Sequence, residues 1–300
     1  MKHKPYRTAL YVLARIIGTL IYPLPLKAGV RLGALMGKLA FHIVPKERRK
    51  TLAHLRMALG RERSEKELRK IAKDLFANMG RNAIEWINYP KFDKEWFSKN
   101  IYPENFERVR NAYDRGKGLI VLTGHLGNWE LLGSYLSFNN YAGTMIAKKI
   151  YIKQFDEFFV RMRKHFKNDI LYRGESPKKV LRVLKSGGII GILPDQDISS
   201  IEGIFVDFFG KPAYTPTAPV KFAIKTGAAL VPMFALRDGD RFKFLVEKEI
   251  VMEITGDKDR DLLVNTIKWM RVFENVIRRY PDQWVWMHRR WKTKPEDKNQ

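Results

Sequence analysis

Apolar positions in the first hundred residues recur at helical spacing. From Thr8 to Tyr22 the chain reads TALYVLARIIGTLIY, which puts Leu10, Leu13, Ile17, Leu20 and Ile21 on one face and Thr8, Tyr11, Arg15, Thr19 and Tyr22 on the other. That pattern predicts an amphipathic helix. Leu26 to Val44 carries Gly29, Gly33 and Gly37 at four-residue intervals, a stripe of small residues that lets a second helix approach closely. Pro45 breaks the pattern and opens a helical run from about Glu47 to Leu59. Ser64 followed by Glu67 has the spacing of a capping box and starts another run to Trp86. The first hundred residues read as helical throughout.

After Gly116 the periodicity changes. GLIVLT, Gly118 to Thr123, is a short apolar run rich in β-branched residues, followed by a Gly-rich loop and the helical WELLGSYL. Strand and helix then alternate. Strands are predicted at Gly143 to Ala147, Asp169 to Tyr172, Gly188 to Leu193 and Ala229 to Leu236, with helices at Ile152 to Phe166, Pro177 to Leu184 and Pro216 to Lys225. Phe242 to Val251 adds an antiparallel edge, and Asp257 to Tyr280 closes the chain with a helix. The fold class is α/β, a mostly parallel central sheet with helices on both faces, preceded by a helical, membrane-associated region. Residues 1–25 form the amphipathic helix, 26–115 the helical N-terminal region and 116–300 the α/β core, with 26–300 as one compact unit.

Charge sharpens the reading of the first segment. The 300 residues carry 56 Lys and Arg against 32 Asp and Glu, a formal charge of +24, which favours polyanions, anionic headgroups, phosphorylated molecules or an acidic protein. Twelve of those cations, Lys2 and Lys4 among them, lie in residues 1–60, against Glu47 alone. Fifteen helical residues reach roughly 22 Å, short of a hydrocarbon core of about 30 Å. A helix lying in the headgroup plane of an anionic membrane fits better than a span; packing of the helix on its own domain is the alternative. The zero cysteine count excludes thiolate nucleophiles, disulfides and Cys-ligated metals.

In parallel sheets the reacting groups lie where strands end and loops begin. After GLIVLT come Gly124, His125, Leu126, Gly127, Asn128, Trp129 and Glu130. His125 in the loop and Glu130 in the first helical turn can converge, and a histidine oriented by a carboxylate is a general base for a hydroxyl. Asn128 is a natural N-cap, and the N–H groups of 127–129 could stabilise an oxyanion. A buried histidine bonded to backbone would leave the same trace. After GIIGIL come Leu193, Pro194, Asp195, Gln196 and Asp197, and the two aspartates could hold a divalent cation or simply cap turns. Phe205, Phe208 and Phe209 line an acyl groove or form a core strand. Signatures of serine hydrolases, phosphate loops, dinucleotide enzymes and zinc proteases are absent from the sequence.

GHLGNWE, LPDQD followed by GIFVDFFGKPAYTP, and QWVWMHRRWK together resemble the lipid A biosynthesis acyltransferases, from about Leu24 to Pro295. The His-x4-acid spacing alone also marks the wider glycerolipid acyltransferase superfamily, and mycobacterial phosphatidylinositol mannoside acyltransferases share a related set. The resemblance implies transfer of a fatty acyl chain from an acyl-carrier-protein or coenzyme A thioester to a hydroxyl of a membrane glycolipid such as a lipid A precursor. It implies no metal and no cofactor beyond that co-substrate. By the same resemblance His125 is the base, Glu130 its acidic partner, and Asp195 an acid assisting the histidine or fixing the acceptor. Arg163, or Arg161 beside it, holds phosphate; His288, Arg289 and Arg290 bind the headgroup or pack against the core. Gly127, Asn128 and Asp197 complete the expected substrate contacts.

The implied partners are a membrane lipid acceptor, acyl carrier protein and an anionic membrane surface, at the cytoplasmic face of the bacterial inner membrane. A lysophospholipid or phosphatidylinositol mannoside acceptor is the nearest alternative. A metal-dependent glycosyltransferase using Asp195 and Asp197, or a nucleic-acid-binding protein favoured by the charge, represents other classes.

Overall fold

The computed structural model describes residues 5–175 and 177–298; Lys2 and Lys4, counted above among the N-terminal cations, lie outside them. Four helices come first: α1 (Pro5–Ile21), α2 (Leu26–Ile43), α3 (Pro45–Leu59) and α4 (Glu65–Asn88). The capping box forms as its spacing predicts. The Ser64 N–H donates to Glu67 Oε2 at 2.8 Å and the Glu67 N–H returns to Ser64 Oγ at 3.4 Å, which satisfies two donors the helix leaves open.

The glycine stripe of α2 lies directly on α4. A Cβ added to Gly37 would sit 2.1 Å from the Phe76 carbonyl oxygen, and one on Gly80 only 2.0 Å from that of Gly33. Backbone meets backbone here, so any side chain would push the two helices apart. The opposite face of α2 is left uncovered by the described residues: Leu35, Leu39 and Ile43 are 62%, 58% and 66% exposed. In α1, Leu13 and Leu20 of the expected inward face also point out, beside Val12 and Ile16, while Ile21 is buried. Gly18 of α1 faces Ile87 of α4, so the side of α1 turned to the protein differs in part from the predicted stripe.

The region 26–115, expected to be helical, also contains a strand. Between α5 (Lys94–Asn100) and α6 (Glu107–Tyr113) lies strand β1 (Ile101–Glu104). Four residues containing Pro103 carry too little alternation to register as a strand. Next come β2 (Leu119–Leu122), α7 (Trp129–Phe138), β3 (Thr144–Ala147), α8 (Lys153–His165), β4 (Asp169–Tyr172), α9 (Pro177–Lys185) and β5 (Ile189–Ile192). The hairpin β6 (Gly203–Phe208) and β7 (Lys211–Pro216) follows, then α10 (Ala218–Thr226), β8 (Ala229–Asp238), β9 (Arg241–Val246) and α11 (Lys258–Arg279).

Seven strands form one sheet in the order β1-β9-β8-β2-β5-β3-β4, in which only the β8–β9 pair is antiparallel. β9 is therefore not the edge, because β1 pairs outside it. The four side chains of β2 are all buried, as expected of a central parallel strand covered on both faces, and each contributes about 1.5–3 kcal/mol. The β6–β7 hairpin stands apart from this sheet. Its Phe208 and Phe209 are buried, and Phe208 packs 5.7 Å from both Trp284 and Trp291, so these rings belong to the core and not to an acyl groove. Beyond α11 the chain returns across the ends of β2 and β5, and an isolated bridge joins Leu126 to Trp284.

Candidate active site

Strands β2 and β5 are parallel neighbours, with Leu122 paired to Ile192. Each strand ends at the same edge of the sheet, and three residues further on stand His125 and Asp195. Topology alone thus brings together two residues seventy positions apart. Asp195 Oδ1 lies 2.8 Å from His125 Nδ1, and Oδ2 accepts the His125 backbone N–H at 2.8 Å and the Trp284 indole N–H at 3.0 Å. Burial alone would raise the Asp195 pKa. The charge of His125 and the hydrogen bonds from His125 and Trp284 outweigh it and hold this carboxyl far below the usual range.

The pairing with Asp195 puts the ring proton on Nδ1 and leaves the Nε2 lone pair as the basic position. His125 borders a cavity of about 780 Å³, within the roughly 300–1,000 Å³ usual for ligand sites. Trp86, Trp129, Glu130, Arg163 and Gln196 also line it. Apolar side chains, among them Leu132, Leu136, Met145 and Ile189, continue it between the sheet and α7. A hydrolytic or transfer site with an apolar extension can take a substrate with a long hydrocarbon part.

The acid expected to orient His125 is engaged elsewhere. Glu130 is buried and receives two hydrogen bonds from Arg163, at 3.0 Å from Nε and 2.7 Å from Nη2. Desolvation would lower the Arg163 pKa, but Glu130 outweighs it and the guanidinium is held above its ordinary value. Asp195, not Glu130, is the carboxylate in contact with the ring. Arg163 lines the cavity whereas Arg161, two positions along α8, is exposed and does not.

Several expected substrate contacts prove to be scaffold. Gly127 has φ +63°, and a Cβ there would meet the Ala235 carbonyl oxygen at 2.0 Å, so only glycine lets the loop pass β8 this closely. Its N–H is bonded to the Gln283 carbonyl at 3.0 Å, and that of Asn128 to the Ala235 carbonyl at 2.9 Å. Neither amide is available to an oxyanion. Asn128 is fully buried; its side chain donates to Glu85 at 2.7 Å and accepts from the Trp86 indole at 2.9 Å. It makes no side-chain cap on α7.

Asp197 accepts from the Thr293 N–H at 2.6 Å and hydroxyl at 2.7 Å, so the two aspartates of LPDQD point to different partners and do not form a cation site. Among the described residues no group of three or more His, Cys, Asp or Glu is arranged to hold a metal. Arg290 is buried and donates to the Tyr214 carbonyl and the Thr215 hydroxyl, both at 2.5 Å, tying the C-terminal segment to β7; burial lowers its pKa to about 10. Arg289 is exposed. Of His288, Arg289 and Arg290, His288 is the one that reaches the site, its ring centre 4.9 Å from that of His125. Burial, reinforced by the charge of His125, lowers the His288 pKa to about 4.

Residues that sequence reasoning passed over include Gln196, whose Nε2 lies 3.1 Å from His125 Nε2 and 2.7 Å from His288 Nδ1. It stands inside LPDQD, between the two aspartates that drew attention. Trp284 likewise stood within QWVWMHRRWK. Below the loop, Arg237 donates to Glu85 at 2.7 Å and Asn82 at 3.0 Å, and Asn82 donates to the Gly127 carbonyl at 2.8 Å. No local pattern in α4 or β8 signals that buried network.

Comparison with known proteins follows the same lines. The profile of the family described as bacterial lipid A biosynthesis acyltransferase matches residues 2–293. The lipid A biosynthesis lauroyltransferase of Escherichia coli is 26% identical over 92% of this chain and 89% of its own. The phosphatidylinositol mannoside acyltransferase of Mycolicibacterium smegmatis is 26% identical over 72% of this chain and 70% of its own. The E. coli lipid A biosynthesis palmitoleoyltransferase is 22% identical over 91% and 87% respectively.

Proposed function

Because the chain belongs to the bacterial lipid A biosynthesis acyltransferases and is an acyltransferase, we propose that it moves a fatty acyl chain from an acyl-carrier-protein or coenzyme A thioester to a hydroxyl of a membrane glycolipid, a lipid A precursor first among them. The observation that carries this reading is the His125–Asp195 pair at the rim of a deep, largely apolar cavity. His125 Nε2 takes the proton of the acceptor hydroxyl as its oxygen attacks the thioester carbon. The tetrahedral intermediate collapses, the C–S bond breaks, and the sulfur leaves with the proton from His125. Asp195 keeps the ring in the required tautomer and stabilises the imidazolium, with no metal or other cofactor needed for any step.

Glu130 and Arg163 form the wall beside the base, and Arg163 is the cation assigned to a phosphate on the acceptor. Lys148, Arg173 and Lys221 also line the cavity and suit an anionic headgroup or an acidic carrier protein. The M. smegmatis relative favours a second acceptor, a phosphatidylinositol mannoside, for the same chemistry.

The enzyme works at the cytoplasmic face of the inner membrane, held there as a monotopic protein. Among the described residues no helix is long and apolar enough to cross a membrane. Support comes from the outward apolar residues of α1, now joined by Leu35, Leu39 and Ile43 of α2, with Lys27, Arg31 and Lys38 beside them.

The test supplies detergent-purified protein with acyl-carrier-protein or coenzyme A thioesters and with each acceptor, and weighs the products by mass spectrometry. A new acyl ester that vanishes in His125→Ala is expected. Hydrolysis without transfer to any lipid, or activity that depends on a sugar nucleotide and metal, would overturn the reading.

A further inference from the structure

The tetrahedral oxyanion needs a hydrogen-bond donor, and two of the three loop amides first expected to supply it, those of Gly127 and Asn128, are spent. Gly127 and Asn128 give their N–H groups to Gln283 and Ala235. The Asn128 carboxamide is buried on Glu85, and Nε and Nη2 of Arg163 are turned to Glu130.

Gln196 is placed differently. Its side chain lines the cavity, and its Nε2 lies 2.7 and 3.3 Å from the two ring nitrogens of His288 and 3.1 and 3.3 Å from those of His125, which places it over both rings and on neither in-plane lone pair. Burial and the neighbouring His125 keep His288 neutral, so no positive charge opposes the amide there. The His125 Nε2 lone pair stays open to the acceptor hydroxyl.

We infer that Gln196, anchored by His288, is the oxyanion donor of this acyltransferase. Its amide lies over the His125 ring and leaves the Nε2 lone pair to the acceptor hydroxyl. An N–H of that amide is thereby free to turn to the attacked carbonyl. The oxyanion and the attacking oxygen are bonded to the same carbon, so a donor already 3.1 Å from the base lies within reach of the charge as it develops. The proton path is unchanged: Gln196 donates a hydrogen bond and transfers no proton. His288 is a positioning residue, since it touches the amide and not the substrate.

The inference rests on the acyl-transfer reading and is tested on the full chain with Gln196→Leu, Gln196→Glu and His288→Gln. A lauroyl thioester is supplied with a lipid A precursor, and in parallel with no acceptor, so that transfer and hydrolysis are both measured. The oxyanion is common to both reactions. A donor to it should therefore lower the two kcat values together, by about 10²-fold in Gln196→Leu, with both KM values within about threefold of wild type and the unfolding temperature retained.

The isosteric Gln196→Glu keeps the volume and loses the donor. It should fall as far, and its new carboxylate beside His125 should move the acid limb of the pH–rate profile upward. His288→Gln should fall less, since it frees the amide without removing it. A loss confined to KM or to thermal stability would overturn the inference and leave Gln196 a packing residue. Hydrolysis that rises while transfer holds would overturn it too, making the amide a plug on the base. A wild type that hydrolyses the thioester yet acylates no lipid would sink the acceptor reading instead, and Gln196 would still be decided by hydrolysis.

Discussion

Asp195 grips His125 at two points, one carboxylate oxygen 2.8 Å from the ring Nδ1 and the other 2.8 Å from the backbone nitrogen of the same residue. A single side chain thereby sets the tautomer of the ring and the path of the loop that carries it. Asp195→Asn keeps the size and shape but offers an N–H where the ring and backbone need an acceptor. The expected loss is about 10³-fold or more in kcat, measured under saturating thioester and acceptor. A variant within tenfold of wild type would show that the ring is held by other means.

Glu130 and Arg163 are a nearly buried ion pair, with side chains 6% and 17% exposed. Removing one member leaves the other uncompensated, so Glu130→Gln and Arg163→Met should each destabilise the fold by about 3 kcal/mol. The double variant should lose clearly less than the two singles combined, as denaturant unfolding would measure. Strict additivity would mean that the pair contributes nothing as a pair.

Acid should weaken the protein through its buried histidines. His288 titrates near 4 in the fold against 6.5 when unfolded, and His54 is also lowered, first by burial. The unfolded chain therefore takes up these protons first. The contribution of His288 is complete above about pH 6.5 and is lost as pH falls towards 4, on the order of 3 kcal/mol in all. Lys50 and Glu47 also face His288 but act in opposite directions. Below that window Asp195 adds its own loss as it is protonated. His288→Gln should flatten the dependence of unfolding temperature on pH between 6.5 and 4; an unchanged slope would refute the assignment.

Gly191 lies in β5 on the cavity wall, and a Cβ there would find Met145 Cγ at 3.8 Å as its nearest contact. There is room for a side chain only at the expense of the cavity. Gly191→Leu should shift the preferred acyl chain to a shorter one, each excluded CH₂ weakening the longer donor by about 0.8 kcal/mol. Competition among thioesters of graded length, read by mass spectrometry, checks this. An unaltered preference would place the hydrocarbon elsewhere.

On the outside, Leu35→Glu with Leu39→Glu puts two charges on the exposed face of α2. Binding to vesicles containing anionic lipid should fall at least tenfold, while hydrolysis of a soluble thioester stays unchanged. Equal vesicle binding would leave α1 as the whole of the membrane contact.

The sheet was legible because its central strands are covered on both faces and so appear as apolar runs: GLIVLT and GIIGIL correspond to β2 and β5. β1 was not, since four residues with a proline carry no period. The same contrast holds in the site. His125 and Asp195 were visible as strand-end residues, and the adjacency of β2 and β5 explains why they meet. The choice between Glu130 and Asp195 as partner of the ring was not readable from spacing, because five positions in sequence say less than two paired strands. Asn128 was misread for a related reason, and Arg290 takes the packing role that was left open beside headgroup binding: a polar side chain in a motif can serve buried groups as readily as a ligand.

Trp284 reaches Asp195, Gln283 takes the Gly127 N–H, and His288 anchors Gln196. All three come from a segment made about 160 residues after the histidine they serve. During synthesis the base precedes its carboxylate by seventy residues and the parts that align them by about 160. A chain halted before residues 283–288 therefore holds His125 and Asp195 without the bonds that fix them, and the site closes only when that segment has been made.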